Sequence, residues 1–536
     1  NINLNSGSTI STGSGYMYIY ADMDSNGGSV NRAADSGLIS SGYVGFQSSS
    51  SISTSTFLTP FDTLTGSFSI GCRGNYDLTV DSDIGRVNQS VSLSGRNVTQ
   101  QTGADIMTGT GSVFLSAGGA SGTGAFTQAA GAVISGGSIS INTRGSGSLL
   151  SVTANGAGND INIGGFSGSG TLTVGSLTAA DDISFSDTGN FMIIDDGNAG
   201  TVLTGDLVTF NAVSIGSAAN NISTDAFTVA LTTSNGSAYI REQNNLNINA
   251  STITNGSAYI SSGVPVNLAG MLTATGAGTN TVNLTTRSGD YNIVALANVN
   301  GQEGFGFAAE GGNVVVMGAI NTTNRNLTLT GNAVTISNTV TTGTADFTAT
   351  ANTGAIALNS LITAKNITLT STAGNLLDGN AAANNIVSTG TCNFTAGGYI
   401  GTAADPIEVT INPGSLSIAA QGQSAGVSAA INGTILPANT YTYNADAPGS
   451  ILFNAAVLNQ QAVAPVPINI SLSEKDRALR CLLTDKKDPQ AGVLSNTDAG
   501  VYLPLAVDFS SYTLPNPYNF HISPYLVLPG ESRTGR

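Results

Sequence analysis

Charge is scarce in this chain. Of 536 residues only 9% are charged, with 16 basic side chains against 32 acidic ones; typical domains carry roughly 25%. A nucleic-acid partner is thereby excluded, because a duplex needs clustered Lys and Arg opposite its phosphates, and the net charge here is −16. Tryptophan is missing and histidine occurs once, at His521. Three cysteines, Cys72, Cys392 and Cys481, share no CxxC or Cys/His spacing, which argues against a disulfide framework and a structural zinc site. No apolar run reaches the roughly 18 residues of a membrane-spanning helix, so no transmembrane segment is expected. The start, NINLNSGSTIS, lacks the charged and apolar regions of a signal peptide. A mature secreted chain, its targeting segment already removed, is the expectation.

Small residues fill the space that charge leaves. Glycine contributes 68 residues, and Ser, Thr, Asn and Ala supply much of the rest. With 40% hydrophobic residues and a mean hydropathy of +0.14, the chain is too apolar to stay disordered. It is expected to fold around small side chains.

Short alternating runs recur throughout, among them GSISINT (137–143), NDINIGG (159–165), NLNINAS (245–251), RNLTLTG (325–331) and KNITLTS (365–371). Each alternates apolar with small polar residues, the period of a strand with one buried face. Gly, Asn, Asp and Ser separate them, as turns require. One hexapeptide, NGSAYI, occurs at 235–240 and again at 255–260, displaced by 20 residues. A propeller would repeat at about 40, whereas 20 fits one coil of a parallel β-helix. On this reading the fold is all-β. Ala238 and Ile240 point inward beneath Ala258 and Ile260, Tyr239 stacks on Tyr259 outside, and Asn-Gly supplies the left-handed corner. Coils of about 20 to 25 residues over about 460 predict roughly 18 to 23 of them, a rod on the order of 90–110 Å long. The narrow bore of such a coil suits Ala, Val, Ile, Leu and Thr, and large aromatics would overpack it.

Composition breaks near residue 437. Ten of the 14 prolines lie from Pro437 onward, and residues 461–536 balance 7 acidic against 7 basic side chains, leaving the whole −16 to residues 1–460. Two regions are therefore expected: a parallel β-helix over 1–460, and a C-terminal region over 461–536. In the second, SLSEKDRALRCLLTD (471–485) reads as a helix, with Ser473 as N-cap, Asp476 closing an approximate capping box and Leu479, Leu482 and Leu483 on one side. An extended Pro/Tyr-rich tail follows, in which proline removes ladder donors. It reads equally as a docking arm or as a cap on the last coil. As an arm it would be anchored by Tyr502, Tyr512, Tyr518 and Tyr525 with Leu514 and Leu526.

At GAIALNSLITAKNITLTSTAGNL (354–376) and GGYIGTAADPIEVTINPGSLSIAAQG (397–422) the chain resembles the filamentous-haemagglutinin type of secreted bacterial β-helix. The resemblance extends loosely over 100–460. It implies a right-handed parallel β-helix, export to the cell surface, and a role in adhesion or surface fibres. The NPNG- and NPNL-type motifs of two-partner secretion domains are absent from the sequence.

Catalysis was sought as the rival reading, since polysaccharide lyases and hydrolases also use β-helices. Such chemistry needs clustered carboxylates, often with Ca²⁺ or a basic residue. The densest acidic run, DDISFSDTGNFMIIDD, offers Asp181, Asp182, Asp195 and Asp196 as Ca²⁺ ligands, but its nearest basic residues in sequence are Arg144 and Arg241. Asp in turns explains the run more economically. No GxSxG or HExxH motif occurs. The expectation is a non-enzymatic, cofactor-free, secreted structural protein, assembling head-to-tail with copies of itself through its ends and tail. A monomeric adhesin for host or glycan surfaces, or a lyase or hydrolase, are the alternatives.

Overall fold

The computed structural model describes residues 2–457, apart from 22–28, 60–61, 119–121, 166–168, 187–189, 245, 277–279, 288–292, 296–297, 413, 436–439 and 445–448; beyond 457 it describes only the strands Ile468–Ser471 and Leu505–Ala506. The chain divides into two compact units, Asn1–Tyr291 and Asn292–Arg536. Each is a parallel β-solenoid.

In the first unit one inward column can be followed from coil to coil. Met17 pairs with Val44, Val44 with Phe68, Phe68 with Val91, and Val91 with Val113. The column runs on through Ile139, Ile161, Ile183, Val208, Val229 and Ile248 to Leu268. All its members are buried. Alternation along each strand turns every second side chain inward, and parallel register sets it on its counterpart one coil below. The hexapeptide repeat follows the rule: Ala238 lies on Ala258 and Ile240 on Ile260, all four buried, with Tyr239 on Tyr259 between them.

Coils of the second unit have three strands each as far as Ser388, and two each from Thr391 on. Gly304–Ala309, Val314–Val316 and Ile320–Asn321 make one coil, and Leu327–Gly331, Val334–Ile336 and Val340–Thr341 the next; each strand pairs with its counterpart. The inward column Phe307, Leu329, Ala349, Leu369, Phe394 is buried throughout. Outside, Thr328, Thr348 and Thr368 stack in one row and Thr330, Thr350, Thr370 and Thr395 in another. Branched side chains suit such cross-strand neighbours. The backbone ladder continues with Ile468–Ser471 on Tyr441–Asn444 and Leu505–Ala506 on Ile451–Leu452. The helix expected over 471–485, the tail apart from Leu505–Ala506, and the anchors Tyr502, Tyr512, Leu514, Tyr518, Tyr525 and Leu526 lie outside the described residues.

The bore is roomier than side-chain size suggested. Phe46, Phe68, Phe126, Phe185, Phe210 and Phe347 are all fully buried, and Phe185 stacks on Phe210 at 5.1 Å. Compensation within a coil makes room: Phe347 shares its strand with inward Ala349, and Phe394 with inward Cys392. Tyrosine goes outward, where its hydroxyl meets water.

Corners carry the remaining hydrogen bonds. The residue before a strand is often Ser, Asn or Asp, and its side-chain oxygen accepts the backbone N–H of the equivalent residue one coil on. Ser67 accepts from Ser90, Ser90 from Ser112, Ser237 from Ser257 and Ser257 from Thr281. Asn313 accepts from Ala333, Asn326 from Asp346, Asn366 from Thr391 and Asn375 from Tyr399. Each bond satisfies a donor that no ladder reaches.

The expected left-handed Asn-Gly corner is found at 255–256 and not at 235–236. Asn255 takes the left-handed conformation, φ 51°, and neither Gly236 nor Gly256 does. Gly256 is required because a Cβ there would collide with the Gly236 carbonyl directly below. The same close approach stacks Gly66 on Gly42 and Gly374 on Gly354. A single helical turn, Thr54–Phe57, also fills one corner, its Ser55 N–H donating to Asp81 Oδ1 at 2.8 Å. One turn is too short for a 3.6-residue period to announce it.

Replacing an inward residue should cost far more than replacing its outward neighbour. Leu329→Ala is expected to lose about 2–5 kcal/mol, and the exposed Thr328→Ala to stay within about 0.5 kcal/mol. Urea unfolding followed by circular dichroism measures both, and equal losses would contradict the assigned faces.

Candidate functional site

The acidic run of the sequence is divided by the fold. Asp160, Asp182 and Leu207 occupy one corner position on three successive coils. Asp160 Oδ1 accepts the Asp182 N–H at 3.3 Å and Asp182 Oδ1 the Leu207 N–H at 3.2 Å. Asp181 stands beside them, and one carboxylate oxygen from each of Asp160, Asp181 and Asp182 lies within 4.8 Å of the others. Burial and the charges of Asp181, Asp160 and Asp206 raise the Asp182 carboxyl above its usual range. Asp195 and Asp196 are not drawn into this group. They brace their own turn, where Asp195 Oδ1 accepts the Gly197 N–H, Asp196 Oδ1 the Asn198 N–H, and Thr201 Oγ1 donates to both. Burial raises Asp195, and Asp196 adds to it. Two of the three carboxylates, Asp160 and Asp182, thus follow from the corner bonding rule, which here selects Asp.

Next to this corner the surface opens into a groove of about 410 Å³, lined by Thr204, Gly205, Asp206, Asp225, Ala226, Phe227, Asn244 and Val264 among others. Asn244 Nδ2 donates to Asp225 Oδ1. Phe227 stands 64% exposed on the rim. Two carboxylates, an amide and an open aromatic face are the inventory of a polar-ligand groove.

Beneath its floor lies a residue that reading by motif missed. Glu242 is fully buried. Its Oε2 accepts from Thr224 Oγ1 at 2.6 Å, and its Oε1 from the N–H groups of Ala226, Gln243 and Asn244 at 3.0–3.1 Å. Arg287 Nη2 caps the Glu242 carbonyl at 3.0 Å. Burial outweighs these donors and pushes the carboxyl up to about 7. The signal was parity: after Ala238 and Ile240, the next inward position is 242. A second interior charge, Arg32, pairs with Asp62 at 2.8 Å with both side chains enclosed.

Two tyrosine arrays complete the surface features. Tyr239 and Tyr259 stack at 4.9 Å with 14° between their planes. On the first coil Tyr16, Tyr18 and Tyr20 project from one edge, Tyr18 stacking on Tyr20 at 5.8 Å and meeting Tyr43 of the next coil at 5.7 Å. Exposures of 74%, 54% and 41% leave the first three open. The thiols of Cys72 and Cys392 are free and buried, and burial pushes them up to about 12 and about 11. Both stay protonated and act as small apolar side chains.

No protein-family model, curated protein or solved structure matches this chain. Among the described residues no helix is long and apolar enough to cross a membrane.

Glu242 sets a pH dependence. Its folded carboxyl holds the proton more tightly than the unfolded chain does. Below about pH 4.5 both states are protonated and burial carries no charge penalty; above about 7 both are ionised and the folded state bears it. Stability should therefore fall as pH rises through that window, by on the order of 3 kcal/mol from this group. Glu242→Gln keeps an acceptor for the three N–H groups and should flatten that part of the profile. Melting temperatures of both proteins from pH 4 to 8 test it, and identical slopes would contradict the assignment.

Proposed function

We propose that this chain is a non-catalytic structural protein of a bacterial surface, a secreted β-solenoid subunit of an extracellular fibre or matrix that joins head to tail with further copies. One observation carries the reading. The coils stack in parallel register, the strands Ile2–Leu4, Thr9–Gly13 and Met17–Ala21 of one coil pairing with Val30–Arg32, Gly37–Ser40 and Val44–Ser48 of the next. Stacking of this kind can continue between chains, since a coil offers backbone donors and acceptors in the geometry that a further parallel coil needs. Tyr16, Tyr18 and Tyr20 are exposed beside these strands, of the residue type enriched in interface cores. A small-residue, charge-poor exterior and the resemblance to filamentous-haemagglutinin-type exoproteins support the same reading. The C-terminal tail would reach the neighbouring copy.

Purified protein should then form multimers in sedimentation velocity and filaments in negative-stain micrographs. Deleting 500–536 should abolish both while leaving the β-sheet circular dichroism intact. Monomers at every concentration would overturn the assembly reading, and retained multimers after deletion would overturn the role of the tail.

A monomeric adhesin is the second reading, favoured by the groove at Phe227. An exposed aromatic flanked by Asp206, Asp225 and Asn244 suits a neutral or amino sugar, whose apolar face stacks on the ring while its hydroxyls meet the polar groups. Phe227→Ala should abolish retention on a glycan array if this groove binds; unchanged retention would assign glycan binding elsewhere.

A further inference from the structure

The walls of the groove in the first unit come from successive coils in register, Gly205 pairing with Ala226 and Leu207 with Thr228. Thr204 and Asp206 therefore stand one coil below Asp225 and Phe227, at the strand spacing of about 4.8 Å. Between them the small residues Gly205 and Ala226 leave an opening of about 410 Å³, within the range of small-molecule sites, roughly 300–1,000 Å³. Glu242 fixes two of the lining residues from beneath, its Oε1 accepting the N–H groups of both Ala226 and Asn244.

Acceptors dominate this lining. Among the described residues the charged ones that line the groove are Asp206 and Asp225, both acidic. Asn244 Nδ2 donates to Asp225 Oδ1. Among the described residues no group donates to Asp225 Oδ2 or to either oxygen of Asp206. An ionised carboxylate accepts and never donates, so these three oxygens suit a partner rich in donors. Asp181, whose carbonyl accepts the Asp206 N–H at 2.6 Å from one coil below, adds charge of the same sign. Two basic residues of neighbouring coils stay out of the lining: Arg241 lies on Ser223, and Arg287 is turned to the Glu242 carbonyl. Phe227 is the independent observation, since a ring 64% exposed has no place in a turn that merely braces itself. Its negative face attracts positively polarised groups.

We propose that this groove binds a protonated amino sugar, its apolar face lying on Phe227 and its ammonium reaching Asp206 and Asp225. An ammonium carries three donors and no acceptor, the complement of the open carboxylate oxygens. Its charge polarises the neighbouring C–H groups, which strengthens their contact with the ring. The sugar hydroxyls meet Thr204 and the side-chain oxygen of Asn244. A neutral sugar would leave the two carboxylates unanswered, and an acidic sugar would be repelled by them. The proposal rests on the adhesin reading of this groove and deepens it by fixing the charge of the sugar.

The test is calorimetric titration of the full chain with short linear oligomers of glucosamine, N-acetylglucosamine and glucose. The three share one backbone and linkage and differ at a single substituent. The glucosamine oligomer, its amines protonated, should bind about tenfold or more tighter than the other two. Asp206→Asn and Asp225→Asn should each weaken it about tenfold, and Phe227→Ala about fivefold with no change of charge. Asp346→Asn, which removes the same charge from the second unit, should leave the affinity as it is. An equal loss in Asp346→Asn, or unchanged affinity in Asp206→Asn or Phe227→Ala, would overturn the site. Displacement of the oligomer by an equal concentration of ethylamine would overturn the sugar in favour of a bare ammonium. Equal affinity for a neutral oligomer, lost in Phe227→Ala, would overturn the charge assignment and leave a glycan groove standing. Binding of none of the three would overturn the glycan reading of the groove as well.

Discussion

Parallel register between successive coils is the constraint on which everything else depends. Once Met17 sits on Val44 and Val44 on Phe68, each strand has a fixed inward parity, each corner a fixed neighbour, and each backbone group a fixed partner. A slip of one residue would turn a whole strand inside out. Two devices hold the register at places the ladder does not reach. Ser, Asn and Asp side chains take the backbone N–H of the coil above, and glycines let corner backbones touch. The composition follows from these devices. Corners consume Gly, Asn, Asp and Ser, outward rows consume Thr and Ser, and inward columns consume aliphatics and Phe. Little of the chain is left for Lys, Arg or Glu.

Charge that does enter the interior is therefore informative. Arg32 and Asp62 form a closed pair, each with its charge answered. Glu242 is surrounded by donors and stays near neutrality in its titration because burial outweighs them. Glu408 is enclosed with one oxygen unanswered. These are three different solutions to the same desolvation problem.

Much of this was legible in the sequence, and the reasons are local. Alternation in NLTLTG or NITLTS is set within six residues, and the 20-residue return of NGSAYI fixes which coil lies on which. The inward and outward residues of 238–240 and 258–260 could be read directly. What escaped reading depends on contacts between coils. Phenylalanine looked too large for the bore because a volume limit was applied residue by residue, whereas the coil balances Phe347 with Ala349. The left-handed corner was assigned to both Asn-Gly pairs; Asn255 adopts it, the 235–236 pair does not, and Gly256 answers a collision with Gly236. The four aspartates of one acidic run look like one site in sequence and are two turns in the fold. The segment IGTAADPIEV suggested a turn of a known kind, but the Glu408 N–H within it is taken by Asn385, 23 residues earlier.

Coil length is not uniform. Tyr239 and Tyr259 are 20 residues apart and Met17 and Val44 are 27 apart, yet both pairs are in register. The surplus residues are housed in corners, so strands keep their parity whatever a corner gains. Such a chain can grow or shrink during evolution by copying or losing one complete turn, because the surfaces above and below a turn are near equivalents. The doubled hexapeptide, the same six residues paired on adjacent levels, is what the scar of one such duplication would look like.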